Sequence, residues 1–121
     1  METKFRPVLS IRIFGEEKCF GPGVAQLLRR VQEHGSLRAA AGSMSMAYSK
    51  AWKVIKNAET ILGFPLLLSS TGGKHGGGAT LSCKAFELLS AYERYCAELN
   101  DYAAQQFPAC FGGLLYENER E

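Results

Sequence analysis

The hydrophobic and polar positions near the N-terminus predict a strand followed by an amphipathic helix. Along residues 8–14, apolar side chains alternate with Ser10 and Arg12, as expected of a strand with one buried face. Residues 15–18 read as a turn. Along residues 22–34, apolar side chains recur at helical spacing, and the glycine that follows is the usual residue just beyond a helix end.

Two further helices follow, and a tight turn separates them. Ser36 is a suitable N-cap for a short helix that runs from Leu37 to about Gly42 and is rich in alanine. Ser45 is expected to cap a third helix, which runs to about residue 62. Because alanine has little side-chain bulk, another helix can approach the second helix closely.

The third helix is predicted to have an apolar inner face and a basic outer face. The inner face reads Tyr48, Ala51, Trp52, Ile55, Ala58 and Leu62. The outer face reads Ser49, Lys50, Lys53, Lys56, Asn57 and Thr60, with three lysines and no acid. We expect Trp52 to be a core residue because it lies on the apolar stripe. Tyr48 is left open, since near the helix start it suits either the core or, through its hydroxyl, a phosphate.

The C-terminal half predicts a hairpin and a long helix. Two short apolar runs flank residues 71–78, which hold five glycines, and this pattern indicates two strands with a long, flexible tip. A long apolar stripe then predicts a helix over residues 83–107, which Pro108 ends. A tail over residues 108–121 has an acidic finish.

This order of elements predicts an α+β, mainly helical fold, the winged helix-turn-helix. Residues 1–82 form the domain, residues 83–107 a long helix, and residues 108–121 a tail. In such a fold the tight turn projects the third helix toward a DNA major groove, and the hairpin reaches a neighbouring backbone or minor groove. The 121 residues suffice for one domain of this kind.

The net charge of +2 hides an asymmetry along the chain. Residues 24–82 hold seven cations against two acids, whereas residues 83–121 hold three cations against seven acids. A basic segment joined to an acidic one is a reason to consider nucleic acid as a partner. No apolar run is long enough to span a membrane, and we expect no signal peptide. The four cysteines lack CxxC spacing, so we interpret them as reduced thiols in the cytoplasm.

An enzymatic or cofactor-binding role for the glycine-rich loop is less well supported than a role as the wing, the hairpin of this fold. His75 stands where a phosphate-binding P-loop requires Ser or Thr, and the dinucleotide fingerprint fits no register of the loop. No cluster of acids or cysteines accompanies His34 and His75 at metal spacing, and a pair of His75 with Cys83 lacks an orienting third group. We therefore expect no catalysis, no cofactor and no metal.

Four stretches of residues 21–95 resemble the N-terminal DNA-binding domain of the molybdate-dependent regulators of the ModE family, a winged helix-turn-helix related to the LysR type. The stretches are Gly21-Pro22-Gly23 with Leu27-Leu28; residues 35–41 (GSLRAAA), similar to GSISxAA; residues 46–52 (MAYSKAW), similar to MSYKRAW; and residues 71–79 (TGGKHGGGA) with Leu81, similar to TGGKGGGGAxL. Ser49 and Ala47 depart from the family pattern, so base preferences are expected to differ.

The resemblance and the placement of these residues imply a regulator that binds double-stranded DNA. The candidate DNA-binding residues are Ser36, Arg38, Ser45, Tyr48, Ser49, Lys50, Lys53, Lys56, Asn57, Lys74 and His75. Lysines mainly contact phosphates, whereas Asn57 could pair with adenine through two hydrogen bonds. Residues 46–62 would enter the major groove, and residues 71–79 would contact the flanking backbone or minor groove.

The long helix exceeds what one small domain can cover, so its distal half is expected to pair with a second copy. The candidate interface residues are Phe86, Leu89, Tyr92, Tyr95, Cys96, Leu99 and Tyr102. A homodimer implies a palindromic DNA site. No small-molecule effector is expected within this chain, since few residues follow the helix. Two alternatives remain: a regulator that responds to molybdate or another oxyanion, and a winged-helix protein-interaction module without DNA binding.

Overall fold

Two antiparallel hairpins and four helices make up the computed structural model, which describes residues 3–70 and 77–115. The elements are β1 (Ile13–Phe14), β2 (Lys18–Phe20), α1 (Pro22–His34), α2 (Leu37–Ser43), α3 (Tyr48–Leu62), β3 (Leu67–Ser70), β4 (Gly78–Leu81) and α4 (Cys83–Leu115). This order confirms the predicted winged helix-turn-helix with a long C-terminal helix.

The N-terminal segment forms a short two-stranded hairpin, whereas the sequence predicted one longer strand. Only the end of the predicted strand, β1, has strand structure, and it pairs with β2, which the sequence analysis did not find. Phe20 is fully buried and Cys19 nearly so, so β2 delivers two side chains to the core. A three-residue strand is too short to show periodicity, so it becomes evident only from its pairing with β1 in the folded chain.

Small side chains are buried on both α2 and α3. Ala40 on α2 and Ala51 on α3 are both fully buried, and Ala41 and Ala58 are 1% exposed. Larger side chains complete the core; those that are fully buried are Phe20, Leu27, Leu28, Val31, Ile55, Leu66 and Leu89.

The turn between α2 and α3 confirms one predicted cap and corrects another. Ser36 caps α2, since its Oγ accepts the Ala39 N–H at 3.0 Å. The prediction that Ser45 caps α3 is wrong: Ala47 occupies the N-cap position, and no side chain within residues 3–70 and 77–115 forms a capping hydrogen bond there. Ser45 instead has a φ of +55°, because the tight turn requires a left-handed residue at that point.

The wing strands pair in register beyond α3. Leu67 lies opposite Leu81, and Ser70 lies opposite Gly78. The tip of the loop, residues 71–76, lies outside the described residues. The two predicted short strands are therefore present as β3 and β4.

Two hydrogen-bonding contacts attach the wing to the helices. The Glu59 carboxylate on α3 accepts the N–H of Leu66 at 2.7 Å and that of Leu67 at 3.3 Å. The Ala79 N–H on β4 donates to the carbonyl of Gly35 at 2.9 Å, at the turn between α1 and α2. The start of β3 and the middle of the hairpin are thus held by different parts of the helical unit.

The fourth helix continues past its predicted end. It runs through Pro108 to Leu115, so the prediction that Pro108 ends it is wrong. Proline removes one backbone hydrogen bond and crowds the preceding turn, which often kinks a helix without terminating it. The rings of Phe107 and Phe111, one turn apart, lie 5.1 Å from each other and span the proline. At 33 residues the helix is about 50 Å long.

Only the first part of α4 packs on the domain. Its buried residues are Ala85, Leu89 and Tyr92, and none of its described residues beyond Tyr92 is buried. Arg29 on α1 forms a two-pronged ion pair with Glu93, with Nε 2.8 Å from Oε2, and this arginine lowers the pKa of the Glu93 carboxyl.

Two of the predicted interface residues therefore need correction. Leu89 is fully buried and Tyr92 is 7% exposed within a single chain, so neither is available to a second copy. The apolar stripe along α4 packs into the core only in the first part of the helix, which lies against the domain. Its other members, Phe86, Tyr95, Cys96, Leu99 and Tyr102, are exposed or half-buried.

Tyr92 connects α4 to the N-terminal segment. Its hydroxyl donates to the Ile11 carbonyl at 2.6 Å, and its ring meets that of Phe20 edge-on at 5.0 Å. Burial, more than the neighbouring Cys96 thiol, raises the pKa of Tyr92 to about 12. Since an unfolded tyrosine has a pKa of about 10, the neutral hydroxyl stabilises the fold fully below about pH 10, and its contribution falls as pH rises toward 12.

We expect Tyr92→Phe to lower the free energy of unfolding by about 1 kcal/mol near neutral pH, because the Ile11 carbonyl loses its donor. The difference from the wild type should shrink as the pH rises above about 10. Urea unfolding at several pH values measures both effects. Tyr95→Phe, at an exposed tyrosine on the same helix, is the control and should change stability little. A constant difference across this pH range would contradict the prediction.

Candidate nucleic-acid interface

The outer face of α3 is exposed along its length. Ala51, Ile55 and Ala58 point into the core, which turns the opposite side of the helix outward. All six residues predicted for the outer face are exposed: Ser49, Lys50, Lys53, Lys56, Asn57 and Thr60. The helical periodicity therefore placed the polar residues of this surface where the structure has them.

The structure corrects the assignment of Trp52 to the core. Its side chain is 47% exposed, beside the basic face, and the Nζ of Lys56 lies 5.6 Å from the ring centroid. The predicted apolar stripe was too wide, since only Ala51, Ile55 and Ala58 are buried on α3. Trp52 is thus a surface residue, and its predicted place in the core is wrong.

Tyr48, which the sequence left open, also lies on the surface. It is 38% exposed at the first position of α3. The guanidinium carbon of Arg38, on α2, lies 4.2 Å from the centroid of the Tyr48 ring, a cation–π distance. This stacking brings one basic residue of α2 to the start of α3 and orients its donors beside that helix end.

The lysines of α3 differ in their electrostatic surroundings. Lys56 is 3.3 Å from the Glu59 carboxylate, so an acid that the predicted outer face did not include offsets part of its charge. Lys50 and Lys53 form no ion pair with any residue in 3–70 or 77–115. These two lysines therefore carry the uncompensated charge of this helix.

The start of α3 presents free backbone donors. Because no side chain caps the helix, its first N–H groups have no partner among the described side chains. Exposed Ser45 lies just before them, and Ser49 lies within the first turn. Unpaired N–H groups and the helix dipole together attract anions such as phosphate.

The remaining candidate residues fall into two groups. Ser36 is half-buried, and its Oγ already accepts a backbone hydrogen bond as the α2 cap. Lys74 and His75, predicted for the wing tip, lie outside the described residues. The structure thus brings together the candidates on α2, the turn and α3.

A second basic surface borders α3, and the sequence analysis did not include it. Arg12 and Lys18, from the N-terminal hairpin region, line a cavity that also reaches Lys50 and Asn57. No motif signalled this arrangement, because the two cations precede the helix-turn-helix in sequence. Their position depends on how the hairpin folds against α3.

The described helices, including the 33-residue α4, contain no segment apolar enough to cross a bilayer. All four cysteines are free thiols in the structure.

Comparison with known proteins finds one family model and several relatives that are similar to this chain. Residues 24–82 match the model of the family described as bacterial regulatory helix-turn-helix protein, lysR family. A Haemophilus influenzae protein named transcriptional regulator ModE is 38% identical over 72 residues, which are 60% of this chain and 28% of that protein.

Two other relatives have similar coverage. The molybdenum-pterin-binding protein MopB of Rhodobacter capsulatus is 35% identical over 66 residues, 54% of this chain and 24% of that protein. The transcriptional regulator ModE of Yersinia pestis is 34% identical over 67 residues, 55% of this chain and 26% of that protein. The chain thus matches about a quarter of the length of these relatives.

The exposure of Trp52 predicts a small effect of its removal on stability. We expect Trp52→Ala to lower the free energy of unfolding by less than about 1 kcal/mol. Ile55→Ala, at a buried position one turn further along α3, should cost about 2–5 kcal/mol. Urea unfolding followed by circular dichroism compares the two variants. Equal losses of unfolding free energy in the two variants would contradict the surface position of Trp52.

Proposed function

Because residues 24–82 form a LysR-type helix-turn-helix domain of the ModE kind, we propose that this protein is a transcriptional regulator that binds duplex DNA as a homodimer. The observation that carries the proposal is the outer face of α3. It presents Lys50 and Lys53 without ion-pair partners among the described residues, next to exposed Tyr48 and Trp52, at a helix start without a side-chain cap.

The third helix is proposed to lie in the major groove. That groove is about 12 Å wide and admits one α-helix. Ser49 and Asn57 have short polar side chains that suit base edges, and Asn57 could bond adenine through N6 and N7. The exposed face of Trp52 suits contact with a thymine methyl group, since apolar surfaces recognise that group in the major groove.

Residues around the turn and on the wing are proposed to bind phosphates. Arg38, oriented by its stacking on Tyr48, and Ser45 lie beside the free N–H groups of α3. Ser36 retains a hydroxyl proton that it can donate, although its oxygen caps α2. Lys74 and His75 are proposed to contact the flanking backbone or minor groove from the wing tip, as the fold implies.

The distal part of α4 supports a homodimer. Beyond Tyr92 the helix exposes a succession of apolar side chains that the domain does not cover; these include Tyr95, Tyr102, Phe111 and Leu114. Half-buried Cys96 and Leu99 continue the stripe between them. A symmetric pair of such helices would bury this surface and place two recognition helices roughly 34 Å apart, which calls for a palindromic site. Phe86, another candidate interface residue, is exposed on the part of α4 that lies nearer the domain.

Binding to a mixed-sequence duplex tests the DNA-binding surface. We expect affinity to fall steeply with salt, and we expect Lys53→Ala to weaken binding to all sequences and to lower the salt slope by about 1. Trp52 is the only tryptophan, so its emission reports binding directly if the indole enters the groove. Fluorescence titration and mobility shift, each at several salt concentrations, measure the effects.

Lys84→Ala removes the same charge from α4 and serves as the control, with affinity close to that of the wild type. An unchanged affinity of Lys53→Ala would exclude the proposed face. A wild-type chain that binds no duplex would favour a protein-interaction module instead.

The dimer surface predicts a separate result. The double variant Tyr95→Glu with Tyr102→Glu places charges on the exposed distal stripe, and we expect it to be a folded monomer where the wild type is a dimer. Sedimentation equilibrium gives the mass, and circular dichroism checks the helices. Val8→Glu, at a residue 76% exposed outside α4, should leave the dimer intact. A monomeric wild type, or a dimeric double variant, would contradict this surface.

A further inference from the structure

A basic cavity lies between the N-terminal hairpin and α3. Its volume is about 420 Å³, and three cations from separate parts of the chain line it: Arg12, Lys18 and Lys50. Ser10 and Asn57 add neutral polar groups to the wall, and the lining includes no Asp or Glu among the described residues. The lining therefore carries a net positive charge, and its cations come from both the N-terminal region and α3.

The three cations have no ion-pair partner within the part of the chain that the structure describes. Like charges around one cavity repel each other, and a concave surface of one sign strengthens the local potential and attracts an ion of opposite sign. By contrast, Arg29, on the side of the domain that faces α4, is paired with Glu93. The charges of this cavity lack such compensation.

The position of Arg12 depends on close packing against the chain. A Cβ placed on Gly21 would lie 3.2 Å from Cγ of Arg12 and 3.8 Å from its Cβ, so the stem of the arginine runs against the glycine backbone. The absence of a side chain at Gly21 therefore gives the arginine space along the cavity wall. A guanidinium in such a place matches the oxygens of a phosphate through paired N–H donors.

We propose that this cavity binds a phosphate group of the DNA backbone beside α3. The inference rests on the proposed function and extends it, because it makes the N-terminal hairpin region a second DNA-binding element through Arg12 and Lys18. A helix in the major groove has a phosphate backbone along each flank. Lys50 and Asn57 belong to the flank of α3 that faces the hairpin, so a duplex seated on α3 brings phosphates to the mouth of this cavity.

The test uses variants with matched changes of net charge. Arg12→Gln with Lys18→Gln removes two cations from the cavity, and Arg94→Gln with Lys84→Gln removes two from α4 that do not line it. We expect the cavity variant to bind a mixed duplex about tenfold more weakly at low salt, with a salt slope smaller by about 0.9 for each phosphate that the variant no longer neutralises. The α4 variant should stay close to the wild type.

Further variants separate charge from folding. Arg12→Lys keeps the charge, and we expect it to recover most of the affinity that Arg12→Gln removes. Circular dichroism and the urea midpoint show whether each variant is folded. A folded cavity variant with the affinity and salt slope of the α4 variant would overturn the inference, while DNA binding that still depends on Lys53 would leave the proposed function standing. A wild type that binds no duplex would overturn both.

A free anion is the other source of the same chemistry. Millimolar inorganic phosphate, compared with chloride at equal ionic strength and without DNA, tests it through the thermal unfolding midpoint. A phosphate-dependent rise that the cavity variant abolishes, without any effect of that variant on DNA affinity, would assign the cavity to a free oxyanion and overturn the DNA assignment. Weakened DNA binding in the cavity variant, without such a rise, supports the backbone phosphate.

Discussion

The small, buried side chains on α2 and α3 are the constraint on which the rest of the interface depends. Ala40 on α2 and Ala51 on α3 are both fully buried, so a larger side chain at either position would have to displace its neighbours in the core. This close packing orients α3 so that Ile55 points inward and the lysine face points away. Trp52 lies outside the buried row of α3, so its indole is on the surface beside the lysines.

The same helix supports the wing from its other side. Glu59 is turned partly inward, and its carboxylate accepts two backbone N–H groups at the start of β3 while it pairs with Lys56. The proposed recognition helix, α3, therefore carries one acid, and that acid partly neutralises the charge of the neighbouring Lys56. The arrangement couples the position of the wing strands to that of α3, because a shift of either would break charge-assisted hydrogen bonds.

Local signals predicted the helices well and their surroundings less well. The periodicity of α1 and α3, the Ser36 cap and the glycine after α1 were sufficient to place the helix-turn-helix. The roles of Ser45 and of the residues of β2 were misjudged, because turn geometry and the pairing of a short strand are set by the tertiary fold. Pro108 was misjudged because a proline can be accommodated inside a helix. The cavity beside α3 has no sequence signature at all, since it forms only when distant segments meet.

The charge distribution along the sequence differs from the distribution on the folded surface for the same reason. Counted by segment, Arg12 and Lys18 belong to a nearly neutral N-terminal stretch, whereas the fold places both beside Lys50 on α3. Arg29 belongs to the basic segment of residues 24–82, yet it is engaged in an ion pair with Glu93 on α4. In the folded protein the basic surface therefore lies nearer the N-terminal hairpin, and less on α1, than the charge count along the sequence suggests. A positive surface built from two separate segments attracts a polyanion more strongly than one basic helix does, because more of its charges can contact phosphates.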